Sequence, residues 1–191
     1  MTNKISDQAG KFLLNFARET ISKELKKNQD IDISSPPEQL KSELKENRGI
    51  FVTLNKHQQL RGCIGNIEPI KSILDGVSDN AKNAAFHDPR FRPLSTDELD
   101  SVQIEVSILS RPEPLEYKDA QDLIKKLRPG IDGLIIRKQS RGATFLPQVW
   151  DQLKDPQDFL SHLCTKAGLS PDEWKTGAPD VFTYQVQFFE E

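Results

Sequence analysis

Residues 50–65 form the stretch that decides the fold, and they read Ile-Phe-Val-Thr-Leu-Asn-Lys-His-Gln-Gln-Leu-Arg-Gly-Cys-Ile-Gly. The first five are mostly β-branched or aromatic, and polar residues 55–59 separate them from a second run at 60–64, which predicts a β-hairpin. Because alternate side chains of a strand share a face, Arg61 and Cys63 should lie together, roughly 7 Å apart. We therefore expect the Arg61 guanidinium near the Cys63 sulfur.

A third strand is predicted at 102–108, where apolar and polar residues alternate strictly. Ser95 and Glu98 have the spacing of a capping box, which predicts a short helix just before this strand. Helical and extended segments are interleaved along the chain without a regular strand-helix-strand series. The pattern favours an α+β fold with a mainly antiparallel or mixed sheet and flanking helices.

The remaining elements are predicted from apolar periodicity, capping residues, prolines and glycines. We expect helices at 6–27, 35–44, 69–88, 120–127, 147–153 and 156–167, strands at 133–137, 142–146 and 181–189, and a turn at 28–33. Pro69 is expected to open the third helix and Gly168 to end the last. No repeat or linker is evident, so residues 1–191 are expected to form one domain.

Composition narrows the classes of function. Hydrophobic residues make up 36% of the chain and charged residues 29%, with a formal net charge of −3 and a pI of about 5.7. This balance is typical of a globular protein and does not favour binding to nucleic acid or to a membrane. The polar N-terminus and two widely spaced cysteines indicate a cytoplasmic protein without a disulfide framework.

Cys63 is the main candidate for chemistry. Gly62 and Gly65 leave little side-chain bulk near its backbone, so nearby amides could point at an anion. Arg61 and these amides would favour the thiolate, which is the reactive form of cysteine. The alternative is that Cys63 is a small buried hydrophobic residue.

His87 is a candidate base, and Asp88 is a candidate for the carboxylate that orients it. The alternative is that Asp88 turns the chain before a proline and pairs with Arg90 or Arg92.

Five arginines come from separate segments and are candidates for an anion-binding rim, because guanidinium groups suit carboxylate and phosphate. They are Arg61, Arg90, Arg92, Arg137 and Arg141. The alternative is that they are scattered over a solvated surface.

No metal site is predicted, since His162 and Cys164 should point to different faces of a helix. Dinucleotide, P-loop and serine-hydrolase motifs are also missing from the sequence.

Several blocks together resemble the AMMECR domain family, also called AmmeMemoRadiSam system protein A. The matching blocks are 49–54, 60–65 with its RGCIG motif, 84–85 with 88–91, 145–149, and 159–160 with 166–169. The resemblance implies an α+β fold with a larger and a smaller lobe and a site around 61–65, with Asp88 and Arg90 also matching. It also implies a pathway shared with Memo-like proteins and radical SAM proteins.

Two hypotheses for function follow. The first is an enzyme or enzyme component whose groove binds a small anionic or carbonyl compound, with Cys63 and Asp88 as catalytic candidates. Ligand contacts are then expected from Arg61, Gly62, Gly65 and Arg90. The second is a non-catalytic interaction module for Memo-like or radical SAM partners. The sequence leaves open whether a cofactor is bound, and it assigns no role to His87.

Overall fold

A computed structural model describes residues 4–26 and 32–191 of the chain. It divides into two compact units, the first formed by Met1–Ser110 with Gln187–Glu191 and the second by Arg111–Val186.

The helices are α1 (Asp7–Leu25), α2 (Lys41–Leu44), α3 (Ile73–Phe86), α4 (Ala120–Lys126), α5 (Pro156–Lys166) and α6 (Glu173–Thr176). The strands are β1 (Ile50–Lys56), β2 (Gln59–Asn66), β3 (Val102–Leu109), β4 (Glu113–Pro114), β5 (Gly133–Lys138), β6 (Arg141–Phe145), β7 (Asp180–Tyr184) and β8 (Val186–Glu190). Short 3₁₀ helices span Glu38–Leu40, Thr96–Ser101 and Pro147–Asp151.

The strands form two four-stranded sheets, in the orders β2-β1-β3-β8 and β4-β7-β5-β6. Strand β1 pairs antiparallel with both β2 and β3, and β5 pairs antiparallel with both β6 and β7. The predicted α+β fold with antiparallel sheets is confirmed.

The predicted hairpin is the edge of the first sheet. Its turn consists of His57 and Gln58, whose φ angles of 50° and 63° both lie in the left-handed region. A two-residue turn with this geometry matches the natural twist of the strands it joins. A β-bulge follows the turn, because Asn55 pairs with Leu60 but Leu54 pairs with Gly62, which leaves Arg61 as the extra residue and brings Thr53 opposite Cys63.

One face of the hairpin packs on helices. Ile50, Val52 and Leu54 of β1 are fully buried against the core that α1 and α3 complete. Gly62 lies opposite Leu54, so it points to the same face. A β-carbon on Gly62 would overlap the carbonyl oxygen of Ala84 in α3. Glycine is therefore what allows α3 to lie directly on β2.

The second unit has a core of its own between α4, α5 and one face of the second sheet. Trp150 stacks on Phe159 of α5, with ring centroids 3.7 Å apart, and the Trp150 indole nitrogen donates to the Asp132 carbonyl at 2.8 Å.

Most predicted elements are present, including the capping box of Ser95 and Glu98. Helix α3, however, begins at Ile73 rather than at Pro69, because the Ser72 hydroxyl accepts from the Asp75 amide and caps it there. Ile70, which falls inside the predicted helix at 69–88, is 67% exposed and lies before the observed helix.

The predicted strand at 181–189 is two strands, β7 and β8, which belong to different sheets. Gln185 separates the two strands. Strand β4 and helix α6 were not predicted. Residues 27–31, which contain most of the predicted turn at 28–33, lie outside the described residues. In the described part of the chain, the helices are too short or too polar to cross a membrane.

Candidate functional site

The candidate site lies on β2, which is the end strand of the first sheet. Cys63 pairs with Thr53 in the register of the hairpin, so their side chains share the face opposite to the buried Gly62 and Leu54. Cys63 itself is half-buried. The sulfur is thus on the sheet face away from α3.

The loop after α3 supplies polar partners to the outer side of β2. The Cys63 amide donates to Asp88 Oδ2 at 2.9 Å, and Arg90 Nη2 donates to the Cys63 carbonyl at 3.1 Å. These are the backbone groups that a further strand would pair with, and an unpaired edge strand invites association with other chains. Asp88 and Arg90 therefore close this edge at Cys63.

Asp88 and Arg90 also hold each other. Arg90 Nε donates to Asp88 Oδ1 at 2.9 Å, Nη2 to Oδ2 at 2.7 Å, and the Arg90 amide to Oδ1 at 3.1 Å. The Asp88 side chain is only 1% exposed, whereas that of Arg90 is 54% exposed. A buried carboxylate thus orients a guanidinium that still reaches solvent.

This arrangement sets the charge of Asp88. The hydrogen bonds from the Arg90 side chain, assisted by the Cys63 and Arg90 amides, hold the pKa of Asp88 well below its usual 3.8 despite the opposing effect of burial. A carboxylate with a lowered pKa and four donors is a weak proton acceptor. Its geometry suits positioning of Arg90 and of the Cys63 backbone.

Two polar groups surround the Cys63 thiol. The Thr53 hydroxyl lies 3.4 Å from Sγ, a distance suited to an O–H···S hydrogen bond. The pKa of the Arg90 guanidinium is raised mainly by its hydrogen bond with Asp88, and the nearby Cys63 thiol adds a smaller effect in the same direction. The arginine whose contacts include Cys63 is thus Arg90, two residues after Asp88.

Arg61 is held by a different partner. Its Nε and Nη2 donate to the two carboxylate oxygens of Glu98 at 3.2 and 2.9 Å, and Lys56 Nζ also donates to Glu98 at 2.9 Å. These bonds, from Arg61 first and Lys56 second, lower the pKa of Glu98 to about 2. Arg61 Nη1 is buried and has no hydrogen-bond partner among the described residues.

Phe91 lies beside both arginines. Its ring centroid is 6.0 Å from Arg61 Cζ and 5.5 Å from Arg90 Cζ, within the range of cation–π contacts. Phe91 belongs to the matching block 88–91, but the sequence assigned it no role, and sequence reasoning did not single out Thr53 or the ion-pairing role of Glu98. The capping box pointed to Glu98, but nothing local linked it to Arg61.

The two glycines have a packing role in the structure. Gly62 allows the approach of α3, and a β-carbon on Gly65 would overlap the ring of Phe51 on the neighbouring strand. The amide they flank, that of Cys63, is already bonded to Asp88.

The other predicted candidates are placed elsewhere. His87 is exposed at the C-terminal cap of α3, where its backbone amide donates to the Asn83 carbonyl. Arg92 is exposed in the following loop. In the second unit, Arg137 contacts the ring of Phe182 and Arg141 donates to the Gly168 carbonyl.

Cys164 is fully buried in the core of the second unit, and burial raises the pKa of its thiol. The described residues contain no group of three or more His, Cys, Asp or Glu side chains arranged to hold a metal ion.

A cavity of about 370 Å³ lies on the first unit, away from the sulfur. It is lined by Asn55, Gln58, Gln103, Ile104, Glu105, Glu190 and Glu191.

The fold and site define an α+β protein in which an edge-strand cysteine is bound by an Asp-Pro-Arg loop. The chain belongs to the AMMECR1 family, whose model matches residues 14–189. This confirms the resemblance noted in the sequence blocks.

Similar proteins cover nearly the whole chain. Protein MK0488 of Methanopyrus kandleri is 39% identical, over 100% of this chain and 92% of its own length. A protein of Methanothermobacter thermautotrophicus is 38% identical, over 98% of this chain and 96% of its own. The crystal structure of uncharacterized protein PH0010 from Pyrococcus horikoshii matches with a TM-score of 0.81 and 37% identity, covering 98% of this chain and 93% of that one.

Proposed function

We propose that the edge of β2 at Cys63 binds a small compound carrying an oxyanion or a carbonyl group. Arg90 recognises the oxygen atoms of this compound and Cys63 contacts it through sulfur. The observation that carries the proposal is the pairing of the buried Asp88 with the half-exposed Arg90 beside a half-buried thiol.

Orientation is the main argument for this role of Arg90. Asp88 accepts hydrogen bonds from Nε and Nη2 of Arg90, and the Cys63 carbonyl also accepts from Nη2. These bonds leave Nη1 of Arg90 for an external acceptor. A guanidinium already fixed in place loses little side-chain freedom when it binds an anion.

The thiol gives the site a second function. A Cys63 thiolate that adds to a carbonyl carbon forms a C–S bond and places the electron pair of the C=O bond on oxygen. A nearby guanidinium stabilises that negative oxygen. The Thr53 hydroxyl would donate a hydrogen bond to the thiolate sulfur and so keep it oriented. Asp88 acts in this scheme as a positioning residue.

Alkylation with a charged and an uncharged reagent tests the proposal. Iodoacetate carries a carboxylate and iodoacetamide does not, so their rate ratio at Cys63, divided by the ratio for a free thiol, measures local attraction for an anion. We expect a preference for iodoacetate of roughly fivefold, equivalent to about 1 kcal/mol for a solvent-screened contact with a guanidinium. Cys164 is fully buried, and peptide mapping separates its signal.

Two variants test whether Arg90 is the source of the preference for iodoacetate. Arg90→Gln should remove the preference, and Arg92→Gln, which deletes a charge from the same exposed loop, should keep it. A native ratio equal to that of a free thiol, or a preference unaffected by Arg90→Gln, would remove anion binding by Arg90 from the proposal.

A second candidate function is docking of a partner protein, for which the family resemblance implies Memo-like and radical SAM proteins. The observation in its favour is the exposure of two large apolar side chains near the ends of β2, Leu60 at 44% and Ile70 at 67%. Isolated exposed apolar residues are common on protein surfaces, so these two side chains favour docking less than the Asp88–Arg90 pair favours ligand binding. Titration of a purified Memo-like or radical SAM protein should give binding that Ile70→Ser weakens, and unchanged affinity would count against docking there.

A further inference from the structure

The unpartnered nitrogen of Arg61 is the starting point for a further inference. Arg61 uses Nε and Nη2 for Glu98, while Nη1 is shielded from solvent and has no acceptor in the parts of the chain that are described. A buried donor without a partner is costly, so proteins rarely leave one without a reason.

Phe91 is an aromatic neighbour of this guanidinium group. Its ring lies 6.0 Å from Arg61 Cζ and 5.5 Å from Arg90 Cζ, so the same ring borders both guanidinium groups. An aromatic ring is a weaker acceptor for N–H than an oxygen atom. An incoming oxyanion would therefore be a better partner for Arg61 than Phe91 is.

We infer that Phe91 is a displaceable cover over Arg61, and that an oxyanion which moves the ring aside binds to Arg61 Nη1. This inference rests on the proposed function, because it adds a second arginine to the same ligand site. It predicts a ligand with an oxyanion group, carboxylate or phosphate, rather than one with a carbonyl group alone. Arg61 and Phe91 are then specificity-determining residues.

The local charges are consistent with an anionic ligand. Lys56 and Arg61 carry two positive charges against the single carboxylate of Glu98, and Asp88 and Arg90 balance each other. These five side chains therefore carry a net charge of +1, while Glu105, opposite Thr53 on β3, adds a carboxylate to the sheet face of Cys63. An oxyanion that contacts both arginines would be bound by charge-assisted hydrogen bonds.

Phe91→Leu provides the test, because the smaller side chain uncovers Arg61. Phe91 is only partly buried, so the variant is expected to fold. Inorganic phosphate and succinate, each compared with sodium chloride at equal ionic strength, are titrated into the full-length protein and followed by NMR chemical shifts of the Cys63 and Arg90 amides. The two probes distinguish a phosphate ligand from a carboxylate ligand.

We expect Phe91→Leu to bind at least one probe roughly tenfold more tightly than the unaltered protein, as one added charge-assisted hydrogen bond would provide. Phe91→Leu combined with Arg61→Gln should lose this gain. The matched control, Phe91→Leu with Arg92→Gln, should retain it.

The outcomes separate this inference from the proposed function. If the unaltered protein binds a probe through Arg90 and Phe91→Leu adds nothing, the cover is refuted and the thiol site stands. If the gain persists without Arg61, the inferred role of Arg61 is refuted. If no variant binds either probe, both the cover and oxyanion binding at this edge are refuted.

Discussion

Replacement of Asp88 by asparagine should weaken the protein specifically at the edge of β2. The carboxylate accepts four hydrogen bonds, two from the Arg90 side chain, one from the Arg90 amide and one from the Cys63 amide. Asparagine has nearly the same shape but offers only one acceptor atom. Its amide nitrogen would face donors that now bind one of the carboxylate oxygens.

The structure sets the size of the effect. Two of the four hydrogen bonds are lost, each worth about 1.5 kcal/mol because the acceptor is charged, which totals about 3 kcal/mol. Arg90 is 54% exposed and can recover water when it is released. This lowers the expected loss in free energy of unfolding to about 2 kcal/mol.

Urea unfolding measures the loss, and hydrogen exchange at the Cys63 and Arg90 amides locates it. Each carboxylate oxygen accepts one of these two amides, so exchange should accelerate roughly tenfold or more at the amide that faces the new NH₂ group. Asp79→Asn is the matched control on the preceding helix, since Asp79 pairs with Lys71 but its side chain is 40% exposed. That variant should lose less than about 1 kcal/mol.

The reasoning is refuted if Asp88→Asn stays within about 0.5 kcal/mol of the unaltered protein, which is the range of ordinary surface substitutions. It is equally refuted if both the Cys63 and the Arg90 amides keep their protection. Either result would mean that other groups close the edge of β2.

Three further predictions concern the surroundings of the site and the second unit. Gly62→Ala should destabilise the protein by about 2 kcal/mol or more, because the new methyl group would overlap the Ala84 carbonyl, and thermal unfolding measures this. Glu98 has a pKa lowered from 4.5 to about 2, so it stabilises the fold fully above pH 4.5 and this contribution is lost as the pH falls toward 2. In Glu98→Gln the stability measured by urea titration should therefore fall less between pH 5 and pH 2 than in the unaltered protein, and a parallel decline would contradict the ion pair. Tyr184→Phe should cost about 1 kcal/mol, since the buried hydroxyl bonds to strand β6, and an unchanged midpoint of urea unfolding would show that these bonds are dispensable.

Local patterns predicted much of the fold. Strict alternation identified β3, and the apolar runs around a polar turn identified the β1-β2 hairpin with its buried and open faces. The pairing between strands that are distant in the sequence could not be predicted from local patterns. Residues 181–189 look like one strand, yet the chain changes sheet at Gln185, which depends on which strands are available as neighbours.

The start of α3 illustrates competition between two local signals. Pro69 is a good first helical residue, but Ser72 caps the helix through its hydroxyl and Ile70 stays exposed. A side-chain cap that satisfies an amide of the first turn supplies a hydrogen bond that proline at 69 does not. The sequence contained both signals and could not rank them.

The candidate site shows the same limit in chemical terms. Strand alternation placed Arg61 on the face of Cys63, but Arg61 pairs with Glu98, a residue fixed by a capping box 37 positions away. Arg90 instead hydrogen-bonds the Cys63 backbone carbonyl. Asp88 brings the two residues together, because it accepts hydrogen bonds from both the Cys63 amide and the Arg90 guanidinium.

The proposed function would link edge protection to ligand binding. Asp88 is charged and holds Arg90, and Arg90 is partly exposed, so the same ion pair that closes the sheet edge would also present the guanidinium to the proposed ligand. A ligand that competes for Arg90 would loosen its bonds to Asp88 and to the Cys63 carbonyl. Ligand binding should then weaken the hydrogen bonds at the edge of β2. Faster hydrogen exchange of the Cys63 amide would report this at ligand concentrations that do not yet change global stability.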